Sequence, residues 1–103
     1  MAEWTFVTNH AVVLSCVAKN SRITAREMAN QIGITERAVR KIIKDLETAK
    51  FLVKKREGRR VRYSIRPKLM LRHPTQRDKA VGELLKVLGW NERPEKIKLK
   101  NRR

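Results

Sequence analysis

Residues 24–35 constrain the fold of this chain more than any other stretch. Thr24-Ala25-Arg26-Glu27 has the form of a capping box. The threonine hydroxyl accepts from the third helical amide, and the glutamate reaches back to the amide of the cap. Met28, Ala29 and Ile32 then repeat at helical spacing until Gly33, which supplies the left-handed residue needed to turn sharply out of a helix. Ile34 follows, and Thr35 is the next cap. A short helix, a tight glycine turn and a second helix are therefore written within about a dozen residues.

The second of these helices is expected from about Glu36 to Ala49, with Val39, Ile42, Ile43 and Leu46 on its buried face. Its opposite face carries Glu36, Arg37, Arg40, Lys41 and Lys44. Upstream, Thr8 or Asn9 caps a helix over His10–Lys19 whose apolar positions are Val13, Leu14, Val17 and Ala18, and Ile23 forms a short extended link. Downstream, Phe51–Arg56 meets Val61–Ile65 across Glu57-Gly58-Arg59-Arg60. The alternation of Val61, Tyr63 and Ile65 with Arg62 and Ser64 is the period of a hairpin with one buried face. Arg66-Pro67 ends it, residues 68–74 connect, and Thr75 opens a fourth helix with Ala80, Val81, Leu84, Leu85 and Leu88 on its apolar side, stopping at Gly89. Residues 1–7 bring Trp4, Phe6 and Val7 as a further anchor, and residues 91–103 read as a basic tail without a core pattern.

Composition bears on the partner. The 103 residues carry a formal net charge of +16, which points to a polyanion. Residues 1–50 hold 8 basic and 5 acidic side chains, whereas residues 51–103 hold 18 and 5, so the surplus belongs to the hairpin and the tail. A chain of this size buries roughly 65% of its surface on folding, enough for one small core without staples. A lone cysteine, Cys16, excludes an intramolecular disulfide and is expected as a small hydrophobe rather than a redox sensor. His10 and His73 have no ligands at metal spacing beside them, so no metal or other cofactor is expected. Neither a phosphate loop nor a nucleophile motif nor a carboxylate pair argues for an enzyme. No apolar run reaches the ~18 residues of a membrane span and the first residues do not form a signal peptide, so a cytoplasmic protein is expected, nucleoid-associated if the source is prokaryotic.

Helix, link, two helices about a glycine turn, then a basic hairpin: in this order the chain resembles the winged helix-turn-helix proteins. Ala29, Gly33, Val39 and Ile42 match that family's pattern in kind and spacing within a core of residues 25–44, and Leu46–Val53 with the Gly58 hairpin is similar to regulators of the MarR and ArsR type. The resemblance covers residues 9–66. It departs at Lys50, where such families often place a glycine after the recognition helix.

The fold implied is mainly α with a small β-hairpin: a three-helix core, a two-stranded wing and a C-terminal helix. The expected layout is a DNA-binding domain over 1–68, the C-terminal helix as a dimerisation element over 69–90, and a basic tail over 91–103. The function implied is sequence-specific binding of double-stranded DNA in transcription regulation, with the recognition helix over 35–49 in the major groove and the wing over 52–65 on the minor groove or backbone. Thr35, Arg37, Ala38, Arg40, Lys41 and Lys44 are the candidate recognition-helix contacts. Arg can bond guanine bidentately, and Ala38 suits a thymine methyl. Lys54, Lys55, Arg56, Arg59, Arg60 and Arg62 are the candidate wing contacts, and Val81, Leu84, Leu85 and Leu88 form the candidate homodimer stripe. No small-molecule effector is identifiable. The rival readings are an RNA-binding or architectural nucleic-acid protein, and a winged helix that assembles protein complexes.

Overall fold

A computed structural model describes residues 7–91. The chain runs α1 (Asn9–Lys19), α2 (Ala25–Ile32), α3 (Glu36–Thr48), β1 (Leu52–Glu57), β2 (Arg60–Ile65), a single 3₁₀ turn (Pro74–Gln76) and α4 (Val81–Val87). Three helices, a two-stranded antiparallel wing and a short C-terminal helix make up the expected fold class.

Each helix start has a local cause. Thr8, Thr24 and Thr35 sit in extended conformation at the N-caps of α1, α2 and α3, and each side chain accepts from an amide in the first turn. The box at α2 is complete: Glu27 N donates to Thr24 Oγ1 at 3.1 Å, and Thr24 N to Glu27 Oε1 at 2.9 Å. Replacing such a cap typically costs about 1 kcal/mol. At the other end of α2, Gly33 takes φ +88°, and both Gly33 N and Ile34 N donate to the Ala29 carbonyl.

The core joins α1, α2 and α3 to the wing and takes in Val81 and Leu85 of α4. Val13, Leu14 and Val17 of α1 meet Met28 and Ala29 of α2, the α3 residues Val39, Ile42, Ile43 and Leu46, and then Phe51, Leu52 and Tyr63. Cys16 packs half-buried at its edge, where burial pushes its thiol pKa up and Lys19 partly offsets the shift.

Lys50 resolves its own departure from the family pattern. It occupies the left-handed position with φ +70°, while Phe51 N bonds the Leu46 carbonyl and Lys50 N bonds that of Glu47, both at 3.0 Å. This is the paired hydrogen-bond arrangement that normally recruits glycine, closed here by a lysine.

The wing is tighter than its sequence suggests. Glu57 pairs with Arg60, leaving a two-residue turn of Gly58 and Arg59 instead of four residues. Gly58 at φ +64° occupies the first central position, as the hairpin-favoured type II′ turn requires. The outer edge of β2 is partly covered, since Tyr63 N donates to the Ser21 carbonyl at 2.8 Å. The link between α1 and α2 thus lies along the wing.

The expected start of the fourth helix at Thr75 is corrected. Residues 74–76 form the 3₁₀ turn, with His73 Nδ1 accepting from Thr75 N at 3.2 Å, and α4 begins only at Val81. The intervening backbone is taken by long-range pairing. Leu71 N bonds Lys79 O, Val81 N bonds Leu69 O, and Gly82 N bonds Pro67 O, at 2.7 to 2.9 Å. Amides committed to residues 67–71 are no longer donors to a helix begun at Thr75. Gly82 is required by this approach, because a β-carbon there would lie 2.8 Å from Pro67 Cβ and 2.9 Å from Pro67 O.

Candidate nucleic-acid interface

The buried face of α3 leaves Arg37, Arg40, Lys41 and Lys44 exposed on its other side. Residues three and four apart share a helix face, so these four cations form one continuous ridge. Thr35 stands at its start as the cap, its Oγ1 accepting from Ala38 N at 3.0 Å, and Ala38 is half-buried.

Register divides the wing candidates between two faces. Leu52↔Ile65, Lys54↔Tyr63 and Arg56↔Val61 share one face, while Val53↔Ser64, Lys55↔Arg62 and Glu57↔Arg60 share the other. Lys54 reaches α3, with its Nζ 4.0 Å from Glu47 Oε1. Arg62 Nε lies 3.2 Å from Glu57 Oε2 but is not aligned to donate to it, and the opposite oxygen of Glu57 accepts from Arg22 at 3.1 Å. Arg59 and Arg60 are exposed at the tip, beside exposed Lys55 and Arg56.

Between α3 and the wing lies a cleft of about 510 Å³ that gathers Arg40, Lys44, Glu47, Lys54 and Tyr63. Burial holds the Tyr63 hydroxyl above its ordinary pKa, the Glu47 carboxylate adds to the shift, and Arg40 opposes it. Tyr63 therefore stays a protonated hydroxyl at neutral pH.

Pairing sorts the ten cationic candidate contacts into two sets, which sequence spacing foreshadows only in part. Arg40 bonds Glu36 one turn before it, Lys41 lies 3.6 Å from Asp45, Lys54 faces Glu47, and Arg62 faces Glu57. Asp45 also bonds His10 Nε2 of α1 at 2.9 Å, and this bond is the main reason its carboxyl is held below the ordinary range. Arg37, Lys44, Lys55, Arg56, Arg59 and Arg60 have no ion-pair partner among the described residues. The i,i+4 pairs were visible as spacings. The Arg22–Glu57 and His10–Asp45 pairs join residues 35 positions apart and carried no local signal.

The family model described as winged helix-turn-helix DNA-binding matches residues 12–51. This match spans most of α1, all of α2 and α3 and the turn into β1, and the hairpin that follows completes the architecture. The chain carries a winged helix-turn-helix DNA-binding domain. A search of curated proteins finds no match. The hairpin β1–β2 is the wing of that domain.

The candidate dimer stripe is divided by the fold. Val81 and Leu85 of α4 are buried in the domain's own core, so two of its four residues are already occupied. Leu84 and Leu88 are half-buried, and Met70 and Val87 are 51% and 82% exposed. Leu84 and Met70 line an apolar groove of about 1010 Å³ that also takes in Leu14, Leu46 and Leu69. Trp4, Phe6 and the cations of the tail lie outside the described residues. No helix among the described residues is long and apolar enough to cross a membrane.

Proposed function

We propose that the protein is a sequence-specific regulator of transcription that acts by binding double-stranded DNA, without a catalytic step. The single observation that carries this reading is the cationic ridge of α3, set beside a basic wing in a winged helix-turn-helix domain. A helix of this kind fits the major groove, where Arg37, Arg40 and Lys41 would meet base edges with Thr35, Ala38 and Lys44 as flanking contacts. Arg59 and Arg60 at the wing tip would lie against the neighbouring minor groove or its phosphates, with Lys55 and Arg56 behind them. Lys54 and Arg62, each beside a glutamate, would orient the wing more than they hold phosphate.

The working layout is a DNA-binding unit over 1–68, a pairing element over 69–90 and a basic tail over 91–103. A homodimer pairing through Leu84, Leu88 and their exposed neighbours Met70 and Val87 would set two recognition helices about one helical turn, roughly 34 Å, apart. The site of action is the cytoplasm, at the nucleoid in a prokaryote. A MarR- or ArsR-type regulator remains the subtype that the order of elements favours, although neither name is part of the matching family's description.

Selection of bound duplexes from a random pool tests this reading. An enriched motif is expected, palindromic if the protein pairs, and it should outcompete both RNA and random duplex. If 6–10 phosphates are neutralised, affinity falls by about 10³–10⁵ between 50 and 200 mM salt. Equal binding of RNA and all duplexes would favour the architectural reading. Binding of an acidic protein without competition from duplex would favour an assembly module.

A further inference from the structure

We infer that Glu36 determines specificity: it reserves the Arg40 guanidinium for base edges and withholds it from phosphates. This inference rests on the DNA-reading role proposed for α3 and deepens it.

Glu36 occupies the first turn of α3, and its Oε2 accepts from Arg40 Nη2. The arginine side chain is 65% exposed, against 39% for the glutamate, so the carboxylate backs the guanidinium while leaving it open to a partner. A guanidinium has five N–H donors in a planar fork, of which Glu36 takes one. A bidentate contact to the O6 and N7 of guanine needs two, so the intramolecular bond and base readout are compatible.

A phosphate contact is treated differently. It would bring an anionic oxygen close to the Glu36 carboxylate, and like charges at that distance repel. Lys44, on the same helix, has no acidic neighbour within ion-pair distance among the described residues and remains free to follow the backbone. The Glu36 carboxylate therefore sets Arg40, a held reader, apart from Lys44, a free cation on the same ridge. An acid in the first helical turn is also favoured by the helix dipole. The dipole alone gives no reason for a bond to Arg40, however.

The test compares Glu36→Gln and Glu36→Asp with the unmodified chain, on the duplex selected from the random pool, its single-base variants and a scrambled duplex. Glu36→Gln removes the charge and is expected to bind scrambled duplex about ten-fold tighter, with less than about three-fold change on the selected site. Glu36→Asp keeps the charge on a side chain one methylene shorter, weakening its hold on Arg40. It is expected to lose about ten-fold discrimination at one base pair while scrambled binding stays within about three-fold. Circular dichroism checks that both variants fold, and two substitutions of different kind keep the question open to refutation if one does not. Equal tightening on all duplexes by Glu36→Gln, or unchanged base preferences in Glu36→Asp, overturns the role of Glu36 alone. Failure of the unmodified chain to select any duplex overturns the DNA-reading proposal and this inference with it.

Discussion

Lys50→Gly should make the protein more stable, although Lys50 is exposed and has no ion-pair partner among the described residues. At φ +70° the lysine β-carbon crowds the following carbonyl, which costs an L-residue about 1–2 kcal/mol. Glycine removes that cost but returns about 0.5–1 kcal/mol through its greater freedom in the unfolded chain. The net gain is about 0.5–1 kcal/mol. For a domain of this size that raises the midpoint of thermal unfolding by about 2–6 °C. The hydrogen bonds from Lys50 N and Phe51 N use backbone atoms and survive the change. Lys50→Ala is the decisive control, because it removes the same charge while keeping the β-carbon. Thermal unfolding followed by circular dichroism should place Lys50→Gly above both the parent and Lys50→Ala. If the two substitutions unfold together, charge rather than backbone conformation governs this cap.

Gly82→Ala should destabilise the protein by about 1–3 kcal/mol, since the new methyl meets the Pro67 backbone rather than a side-chain tip that can move; urea titration measures the loss, and an unchanged midpoint would mean that the contact yields freely. Leu85→Ala should cost about 2–5 kcal/mol by opening a cavity where α4 joins the core. An equally stable variant in chemical denaturation would show α4 to be dispensable. The Asp45 carboxyl is held low chiefly by His10, so its folded pKa lies below its unfolded value. Its contribution to stability is therefore present above the ordinary carboxylate pKa of 3.8 and is lost as pH falls through the lower folded value. The stability difference between the parent and Asp45→Asn should accordingly shrink in acid; a difference constant from pH 7 to pH 2 would contradict the assignment.

What the sequence made legible was local. Thr24, Glu27, Gly33 and Thr35 act within a few residues of themselves, and the α2–turn–α3 unit follows from them, with α3 ending at Thr48, one residue before the expected Ala49. The period-2 pattern around Tyr63 likewise revealed β2. The 74–80 stretch was not legible, because the competitor to a helix there is backbone pairing with residues 67–71. A threonine followed by an apolar stripe reads as a helix start whether or not its amides are claimed elsewhere. Ten of the candidate contacts were identifiable as cations, and the i,i+4 pairs of α3 could be read from spacing, but the pairing of Lys54 and Arg62 depended on Glu47 and Glu57, whose positions are fixed by the packing of the wing against α3 and the α1–α2 link. Lys50 was a visible anomaly, yet only its φ reveals that the usual cap is retained at a conformational cost.

The bond between Tyr63 N and the Ser21 carbonyl has a consequence for the length of any DNA site. It joins the wing to the link that enters α2, the Arg22–Glu57 pair reinforces the same junction, and the Lys54–Glu47 pair ties the wing to α3. The hairpin is thus fastened on two sides, to α3 and to the α1–α2 link. If α3 and the wing both contact DNA as proposed, the separation between their footprints is set by the protein, like the gap of a calliper. A base pair inserted between the two footprints would then have to be absorbed by twisting or compressing the duplex.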